Sequence, residues 1–411
     1  MRRVVVTGMG AVAPLGHDAG SFFEALIEGR SGVRRFQPAW APAQYNQVTA
    51  PVLQELTHHF TKLRLISLDR VAQLSLLATR EAASQSGTDF SVDSGESAGI
   101  YWGTGMGGAN TIESTMHDLL VNKAVRLKPS SIVLAMNNAA TGQIGIEFGI
   151  RGPSYTFSSA CSSSNVAIGE AYRAIRFGLV KTAVAGGGEA LLTQGVIKAW
   201  ESLQTLAKVD PDRPETSCRP FAADRSGFVL GEGAAALILE EEEAARLRGA
   251  NILAEIVGYG NTTDAGHIAQ PDKGGQARAM KAALADAGMA PQQVTHINAH
   301  GTGTKVGDLT ETNAIKEVFG AHAGMIPISA TKALHGHLMG ATGALEMIAA
   351  IEAIRRRTVP PTAHLGRADP ECDLDYVSEG ARILSKLDVV MSNSFGFGGN
   401  NAVVIAKRYT P

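Results

Sequence analysis

The sequence predicts an α/β protein whose architecture occurs twice along the chain. Short apolar strand segments alternate with glycine-rich turns and helical segments throughout the 411 residues. Glycine, with 46 residues, is concentrated where strands pass into loops. In both halves a strand segment ends in a loop that carries reactive side chains, and this observation suggests a duplication. The identity between the halves is too faint to establish the duplication from the sequence alone.

The predicted elements follow this alternation in chain order. The chain starts with Met-Arg-Arg-Val-Val-Val, which superficially resembles a signal peptide, but the apolar stretch ends after the valines, so we predict a first strand instead. The predicted strands cover residues 4–7, 98–102, 154–157, 296–299, 327–329 and 389–392. The predicted helices cover residues 68–86, 163–177, 276–287, 310–319 and 343–356.

The composition is that of an ordinary soluble enzyme, with 45% hydrophobic and 18% charged residues. A formal net charge of −2 provides no basic field for nucleic acid or for an anionic membrane surface. The longest apolar runs, such as residues 347–351, are far too short to span a membrane. The cysteines Cys161, Cys218 and Cys372 are scattered and form no disulfide framework, which favours a reducing cytoplasm.

Cys161 lies between a predicted strand and a predicted helix that opens with small residues. At such a position, unsatisfied N–H groups and the positive end of the helix dipole lower the pKa of a thiol and favour the nucleophilic thiolate. These residues alone leave a buried structural cysteine open, because free cysteine is usually a small core residue.

A histidine motif, His-Gly-Thr-Gly-Thr, starts at His300 directly after a predicted strand. The hydroxyls of Thr302 and Thr304 are available to a polar ligand arm, although a loop histidine without a role stays open at this point. The pair His335 and His337 has a spacing of two, which suits a strand face. No nearby cysteine or carboxylate completes a tetrahedral set, so we predict no metal site.

Further polar positions follow in the second half of the chain. Lys332 lies just before the histidine pair, and Glu346 follows in a predicted helix. A glycine-rich turn over residues 393–401 is a weak signal taken alone, because it lacks the strand-to-helix setting of a phosphate loop. Taken together, an activated thiol, two separate histidines and a lysine form the set that a carbon–carbon condensing enzyme needs.

On these motifs the whole chain resembles the elongating β-ketoacyl–acyl-carrier-protein synthases of the thiolase superfamily. The resemblance extends from Val-Val-Val-Thr-Gly-Met-Gly at residues 4–10, through residues 219–233, to Pro-Pro-Thr at 360–362. It implies a duplicated thiolase-like fold, layered α-β-α-β-α, with two mixed five-stranded sheets. Residues 1–250 would carry the nucleophile, and residues 251–411 would carry the two catalytic histidines.

The resemblance also implies roles for the catalytic residues. Cys161 would take the acyl chain from a carrier-protein thioester. His300 and His337 would donate hydrogen bonds to the thioester oxygen of malonyl carrier protein as carbon dioxide leaves. Lys332, with the carboxylate of Glu346 as its partner, would set the electrostatics and orientation around His337.

Substrate contacts follow from the same resemblance. Backbone N–H groups of Cys161 and Phe397 would hold the oxyanion of the acyl-enzyme, and Phe397 also matches the gate of the acyl pocket. Thr302 and Thr304 match residues that bind the phosphopantetheine arm. Phe395, in the same glycine-rich turn as Phe397, is assigned to substrate binding.

Several positions depart from the family pattern. Asn400 replaces the usual threonine of the glycine-rich turn, and residues 66–67, Ile-Ser, replace a basic pair on the carrier-docking helix. Ala269 replaces a common threonine, Met106 matches a branched residue that lines the acyl pocket, and serines at 130–131 replace aromatic residues. These departures leave the chemistry intact but make the pathway ambiguous.

The implied activity is that of a 3-oxoacyl-acyl-carrier-protein synthase acting in fatty-acid elongation by decarboxylative Claisen condensation. The alternative is a ketosynthase subunit of a dedicated type II polyketide or polyene pathway. The resemblance disfavours a thiolase, because the C-terminal glycine-rich segment, residues 391–401, contains no second cysteine. It also disfavours a non-catalytic chain-length subunit, because Cys161 and both histidines are present.

Partners and location follow from the same resemblance. No resident cofactor is expected, because the acyl carrier protein delivers the phosphopantetheine arm. That carrier is the expected partner, together with a second copy in a homodimer or, alternatively, a chain-length subunit in a heterodimer. We expect a cytoplasmic protein with neither nucleic-acid binding nor membrane insertion.

Overall fold

The computed structural model describes residues 1–38, 42 and 45–411 of the chain. The strands, in chain order, are β1 (Val4–Val12), β2 (Arg34–Phe36), β3 (Gln47–Ala50), β4 (Ala98–Gly103), β5 (Ser154–Phe157), β6 (Thr182–Glu189), β7 (Leu230–Gly231), β8 (Gly233–Glu241), β9 (Ala254–Thr263), β10 (His296–Asn298), β11 (Ile328–Ser329), β12 (Thr358–Val359), β13 (Arg382–Ile383), β14 (Val389–Gly396) and β15 (Asn400–Lys407). The α-helices are α1 (Ala19–Ile27), α2 (Lys62–Leu65), α3 (Arg70–Ser86), α4 (Ala109–Leu120), α5 (Ser131–Ala135), α6 (Ala139–Phe148), α7 (Ser163–Arg176), α8 (Gln194–Ser202), α9 (Glu242–Leu247), α10 (Lys273–Ala287), α11 (Lys305–Phe319), α12 (Lys332–His335) and α13 (Thr342–Arg356).

The main sheet consists of two five-stranded halves with the same pairing pattern. Its strand order is β11-β10-β14-β15-β9-β1-β8-β6-β4-β5. In one half β5, β4 and β6 are parallel, β8 pairs antiparallel with β6, and β1 pairs antiparallel with β8. In the other half β11, β10 and β14 are parallel, β15 pairs antiparallel with β14, and β9 pairs antiparallel with β15. Each half uses its strands in the same chain order, so the topology shows the duplication that the sequence only suggested.

The two halves join edge to edge between β1 and β9. The contact is short and antiparallel, with Val4, Val5 and Val6 opposite Ile256, Glu255 and Ala254. The predicted pair of mixed five-stranded sheets is therefore confirmed, with the addition that the pair is continuous through this junction. The predicted boundary between residues 250 and 251 lies between α9 and β9, and this boundary itself stays a prediction.

Helices form three layers around the sheet halves. α7 and α13 contact strands of both halves and make up the middle layer, whereas α3 covers β1 and β8, and α10 covers β9 and β15. α13 is buried at every position from Thr342 to Ile354, which explains its nearly uniform apolar sequence. The predicted α-β-α-β-α layering is confirmed.

Pairs of glycines let the outer helices lie directly on the sheet. A Cβ at Gly8 or Gly10 of β1 would lie 2.0 and 2.1 Å from carbonyl oxygens of α3. At Gly258 and Gly260 of β9 it would lie 2.3 and 2.0 Å from carbonyl oxygens of α10. Glycine has no Cβ, so it permits this close approach. These glycines lie within β1 and do not end it, so the strand continues to Val12, well beyond the predicted residues 4–7.

Within the described residues, no helix combines the length and the apolar character that crossing a bilayer requires.

Candidate active site

Loops from both halves of the sheet meet around Cys161. Cys161 follows β5 in a short 3₁₀ turn, Ala160–Ser162, that leads directly into α7. Ala160 has φ of 52°, a left-handed conformation that costs energy for a residue with a Cβ. The strained turn holds the thiol at the start of the helix, as the sequence predicted.

Backbone hydrogen bonds hold His300 and His337 in place. His337 lies next to β7, donating its N–H to Val229 O at 2.7 Å and accepting from Gly231 N at 2.9 Å. His300 follows β10, and its N–H donates to the carboxylate of Glu311 at 2.8 Å. Each ring therefore starts from a fixed backbone position.

The fold brings Cys161, His300 and His337 together. The thiol sulfur and one ring nitrogen of each histidine lie within 4.8 Å of one another. The two imidazole rings are 5.5 Å apart between centroids and nearly perpendicular, at 81°. All three side chains are buried. A thiol between two imidazoles is an arrangement suited to nucleophilic catalysis assisted by hydrogen-bond donors.

The electrostatics of the thiol differ from the prediction. Burial raises the pKa of Cys161 to about 11, while the charge of Lys332 and the backbone N–H groups of Phe397 and Cys161 act in the opposite direction. The predicted lowering of this pKa is therefore wrong for the resting thiol. The sequence revealed the helix start, but not the desolvation that outweighs it.

Both histidines are neutral at physiological pH. Burial lowers the pKa of His300 and of His337 well below 6.5, and the charge of Lys332 lowers both further. A neutral imidazole carries one N–H donor and one lone-pair acceptor. Nδ1 of His300 and Nε2 of His337 have no hydrogen-bond partner among the described residues. Each ring therefore has a nitrogen that is not already paired within the protein.

Lys332 and Glu346 form a fully buried ion pair below this cluster. Lys332 Nζ donates to Glu346 Oε1 at 2.7 Å and to the carbonyl oxygen of His300 at 2.5 Å. Burial raises the pKa of Glu346 to about 7, with the lysine charge opposing the shift. The predicted pairing of Lys332 with Glu346 is present, and the lysine anchors the His300 loop while its charge acts on both histidines.

The cluster also has the geometry of a three-ligand metal site, so the metal prediction needs a different argument. The sequence argument held that no cysteine lies near His337, and this was wrong, because the fold brings Cys161 beside it. His335 instead pairs its Nε2 with Thr331 Oγ1 at 3.0 Å. A cation among these atoms would lie close to the ammonium of Lys332, which repels it. The absence of a resident metal stays a prediction.

A cavity of about 550 Å³ opens onto the cluster. Cys161, His300 and His337 line it, and so do the other predicted substrate-binding positions Thr302, Thr304, Phe395 and Phe397. The two threonine hydroxyls lie 2.9 Å apart. A cavity of this size that reaches a buried thiol is suited to a narrow polar arm that carries an acyl group.

The glycine-rich turn carries two phenylalanines that line the cavity. The ring of Phe395 contacts His300, with centroids 6.0 Å apart. Phe397 packs on Trp200 of α8, with centroids 5.8 Å apart. Asn400, at the position that departs from the family pattern, donates from its amide to Phe397 O at 3.3 Å.

Met106 is the one predicted substrate-binding residue that does not line this cavity. Its side chain is 44% exposed, in the Gly105–Gly108 segment that precedes α4. The assignment of Met106 to the acyl pocket stays a prediction.

Buried carboxylates that support the site were missed by the sequence reasoning. Glu311 accepts the N–H groups of His300 and Gly301, each at 2.8 Å, and the amide of Asn393 at 3.1 Å. Burial raises its pKa. The sequence does indicate that Glu311 lies on the helix predicted over residues 310–319. It does not indicate which distant groups bond to its carboxylate.

Glu189 is a second buried carboxylate that accepts backbone N–H groups. It ends β6 and accepts N–H groups from Gly105 at 2.6 Å, Met106 at 3.2 Å and Gly340 at 2.9 Å. Burial raises its pKa to about 7. In the sequence, Glu189 is recognisable as an acidic residue directly after a run of glycines in a strand.

Comparison with known proteins assigns two consecutive family matches to the chain. Residues 1–245 match the family described as "Beta-ketoacyl synthase, N-terminal domain", and residues 253–366 match "Beta-ketoacyl synthase, C-terminal domain". Together the two matches span most of the chain.

Relatives match over nearly their whole length. Nodulation protein E of Rhizobium meliloti (strain 1021) is 43% identical over 407 residues, covering 99% of each chain. The 3-oxoacyl-[acyl-carrier-protein] synthase 2 of Staphylococcus aureus (strain COL) is 40% identical over 412 residues, again covering 99% of each. The solved ishigamide ketosynthase/chain length factor structure superimposes with a TM-score of 0.92 at 33% identity and covers 100% of both chains. The chain therefore belongs to the β-ketoacyl synthase family of condensing acyltransferases.

Proposed function

We propose that this protein is a 3-oxoacyl-acyl-carrier-protein synthase that elongates acyl chains for fatty-acid synthesis. The observation that carries the proposal is the cluster of Cys161 with two neutral histidines at the inner end of a cavity open to solvent. Such a cluster supplies both a nucleophile and hydrogen-bond donors, and a condensing reaction needs both.

In the first step Cys161 takes the acyl group from its carrier. The thiol sulfur bonds to the acyl carbon, the thioester bond to the carrier breaks, and the proton of the thiol leaves with the phosphopantetheine sulfur. The backbone N–H groups of Cys161 and Phe397 both point at the Cys161 sulfur. They are therefore placed to hold the oxyanion that develops on the acyl carbonyl.

In the second step malonyl carrier protein loses carbon dioxide. The bond from the carboxylate carbon to the α-carbon breaks, and its electron pair passes into an enolate on the thioester oxygen. His300 and His337, neutral at physiological pH, would donate hydrogen bonds to that oxygen. The α-carbon then attacks the acyl carbon on Cys161, the C–S bond breaks, and the thiolate takes up a proton.

The carrier protein is the proposed partner and source of the pantetheine arm. The chain itself would need no resident cofactor, because the reacting groups of the proposed mechanism are thiol, imidazole and backbone N–H. Lys208 and Lys305 line the mouth of the cavity, and neither forms an ion pair within the described residues. They are available to an acidic carrier, whereas Ile66, where the family has a basic residue, is a 65% exposed apolar side chain.

A second copy of the chain is the proposed structural partner. β5 is an edge strand of the sheet, and its Tyr155 is 54% exposed. Around it, α4–α6 expose large apolar side chains that include Met116, Ile132 and Ile146. An unpaired edge strand surrounded by apolar surface favours association. The alternative is a heterodimer with a chain-length subunit.

We infer a cytoplasmic location for the protein. Cys161, Cys218 and Cys372 are all buried and unpaired, which fits a reducing compartment.

A dedicated polyketide or polyene pathway is the second candidate function. The observation that favours it is the altered glycine-rich turn, in which Asn400 bonds to the carbonyl of Phe397, the residue beside the acyl pocket. The catalytic cluster is equally compatible with both functions.

The decisive experiment measures acylation and condensation separately. The purified protein is offered a panel of acyl carrier thioesters, and acylation of Cys161 is followed by mass spectrometry. Preference for medium or long saturated chains supports fatty-acid elongation, and preference for polyenoyl chains supports the alternative. The Cys161→Ala protein should not condense, yet should still decarboxylate malonyl carrier protein slowly. Condensation by Cys161→Ala at the wild-type rate would contradict the whole proposal.

A further inference from the structure

The hydroxyl of Thr342 is the hydrogen-bond partner of a catalytic imidazole. Thr342 is the first residue of α13 and is 1% exposed. Its Oγ1 lies 2.9 Å from Nδ1 of His337. Among the described residues this is the one hydrogen bond that the hydroxyl of Thr342 makes.

The start of α13 holds this hydroxyl in place. The N–H of Ala344, two residues further along, donates to Ser164 Oγ at 2.9 Å. At Gly343 an added Cβ would lie 2.8 Å from the side-chain oxygen of Asn165, so the helix backbone packs directly on α7. Thr342 therefore cannot move away from the imidazole without disturbing the packing between the middle-layer helices.

The second ring nitrogen of His337 has no partner of its own. Nε2 is buried and unpaired among the described residues. The ring lines the cavity beside Cys161, and it is neutral because burial and the charge of Lys332 lower its pKa. A neutral imidazole has two tautomers, and the hydrogen bond at one nitrogen decides which nitrogen carries the proton.

We propose that Thr342 donates its hydroxyl proton to Nδ1 of His337 and so holds the proton of the imidazole on Nε2. This inference rests on the proposed function, in which that N–H donates to the thioester oxygen during decarboxylation. In the opposite tautomer Nε2 would present a lone pair to the developing negative charge and would repel it. Thr342 is thus a positioning residue that acts through His337 and does not touch the substrate.

His300 has no equivalent partner, because its Nδ1 is unpaired among the described residues. Removing the hydroxyl of Thr342 should therefore affect one histidine alone. Acylation of Cys161 does not use the donor on His337 in the proposed mechanism, so the two half-reactions should respond differently.

The test compares Thr342→Val, which keeps the shape without the hydroxyl, with Thr342→Ser, which keeps the hydroxyl. Thr79→Val is the matched control, because it removes a buried helix hydroxyl in α3 whose one hydrogen bond among the described residues is to Ser75 O. We expect Thr342→Val to lower decarboxylation of malonyl carrier protein by at least about tenfold. Acylation of Cys161 should stay within about twofold, as should both rates in Thr342→Ser and Thr79→Val.

The tautomer itself is measured by ¹⁵N NMR of wild-type protein labelled at histidine, with the His337 signals assigned by their loss in His337→Ala. The inference requires a protonated Nε2 and an unprotonated Nδ1. A protonated Nδ1, or wild-type decarboxylation in Thr342→Val, would overturn it. Failure of the proposed function is distinct, because then the wild-type protein would not decarboxylate malonyl carrier protein, while the NMR result would still report the tautomer.

Discussion

His300 and His337 reach the thiol of Cys161 from different loops, one after β10 and the other after α12. Burial keeps both rings uncharged, since it lowers the pKa of each well below 6.5. At this scale the site combines uncharged donors with a thiol that is protonated at rest. The proposed mechanism therefore separates into steps that single substitutions can test.

Loss of either imidazole should stop decarboxylation. His300→Ala and His337→Ala should each lower the decarboxylation rate of malonyl carrier protein about 100- to 1000-fold, because each removes a donor to the enolate oxygen. Acylation of Cys161, measured by mass spectrometry in the same variants, should persist. Decarboxylation within a few-fold of the wild-type rate would remove that histidine from the mechanism.

The pH dependence of the two half-reactions should differ. Because burial raises the pKa of Cys161 to about 11, its thiolate fraction increases about tenfold for each pH unit below that value. The rate of iodoacetamide labelling at Cys161 should therefore rise steadily from about pH 7 to about pH 9. Decarboxylation should be flat from about pH 6 to about pH 8, because histidines with lowered pKa values gain no proton there.

Cys161→Ala supplies the background for this measurement, since Cys218 and Cys372 remain in it. Labelling that already reaches a plateau near neutral pH would show that the helix start outweighs burial at this thiol.

At the scale of elements, buried carboxylates connect segments that are far apart in the chain. Glu189 at the end of β6 joins the segment before α4 to the segment before α13 through the N–H groups of Gly105 and Gly340. Glu311 of α11 joins the His300 loop to β14 through Asn393. Glu311 also lines the cavity itself.

Glu189→Ala should destabilise the protein substantially. The change leaves the buried N–H group of Gly340 and the part-buried N–H groups of Gly105 and Met106 without an acceptor, and a buried unpaired group costs about 1–3 kcal/mol. We expect a loss of at least about 1 kcal/mol in the free energy of unfolding, measured by urea denaturation. Glu189→Gln retains a carbonyl oxygen and should lose less. Equal losses in the two variants would show that the carboxylate does not organise these N–H groups.

At the scale of the whole molecule, the single chain leaves an apolar face around β5 uncovered. Val125 is 96% exposed, Ile146 71% and Ile132 70%, and all three lie in the segment from α4 to α6. Met106, which lies outside the cavity, belongs to the same region just before α4. The proposed second copy would cover this face.

Charged substitutions should separate the proposed dimer. Ile132→Glu and Ile146→Glu place charges on the apolar face and should halve the mass measured by analytical ultracentrifugation, because burying an unpaired charge is costly. Leu247→Glu, at an 83% exposed position in α9 away from this face, is the matched control and should leave the mass unchanged. A wild-type protein that sediments as a monomer at micromolar concentration would contradict the assembly.

The sequence by itself determined the architecture and the reactive residues. The alternation of strands and helices depends on near neighbours, so β5, α7 and α13 were predicted close to their observed bounds. The motifs of Cys161 and His300 are also local, because each lies in a loop directly after a strand. Local patterns are readable in one chain without knowledge of its packing.

Only the tertiary structure decided the contacts that tune those residues. The acceptor role of Glu189, the pairing of Thr342 with His337 and the raised pKa of Cys161 all depend on which distant segments lie side by side. Hydrogen-bond partners and burial are properties of the packed chain, and no periodicity or motif encodes them. The length of β1 also depended on packing, because its glycines lie against α3. In sequence, a glycine that ends a strand cannot be distinguished from a glycine within a strand that lets a helix pack closely.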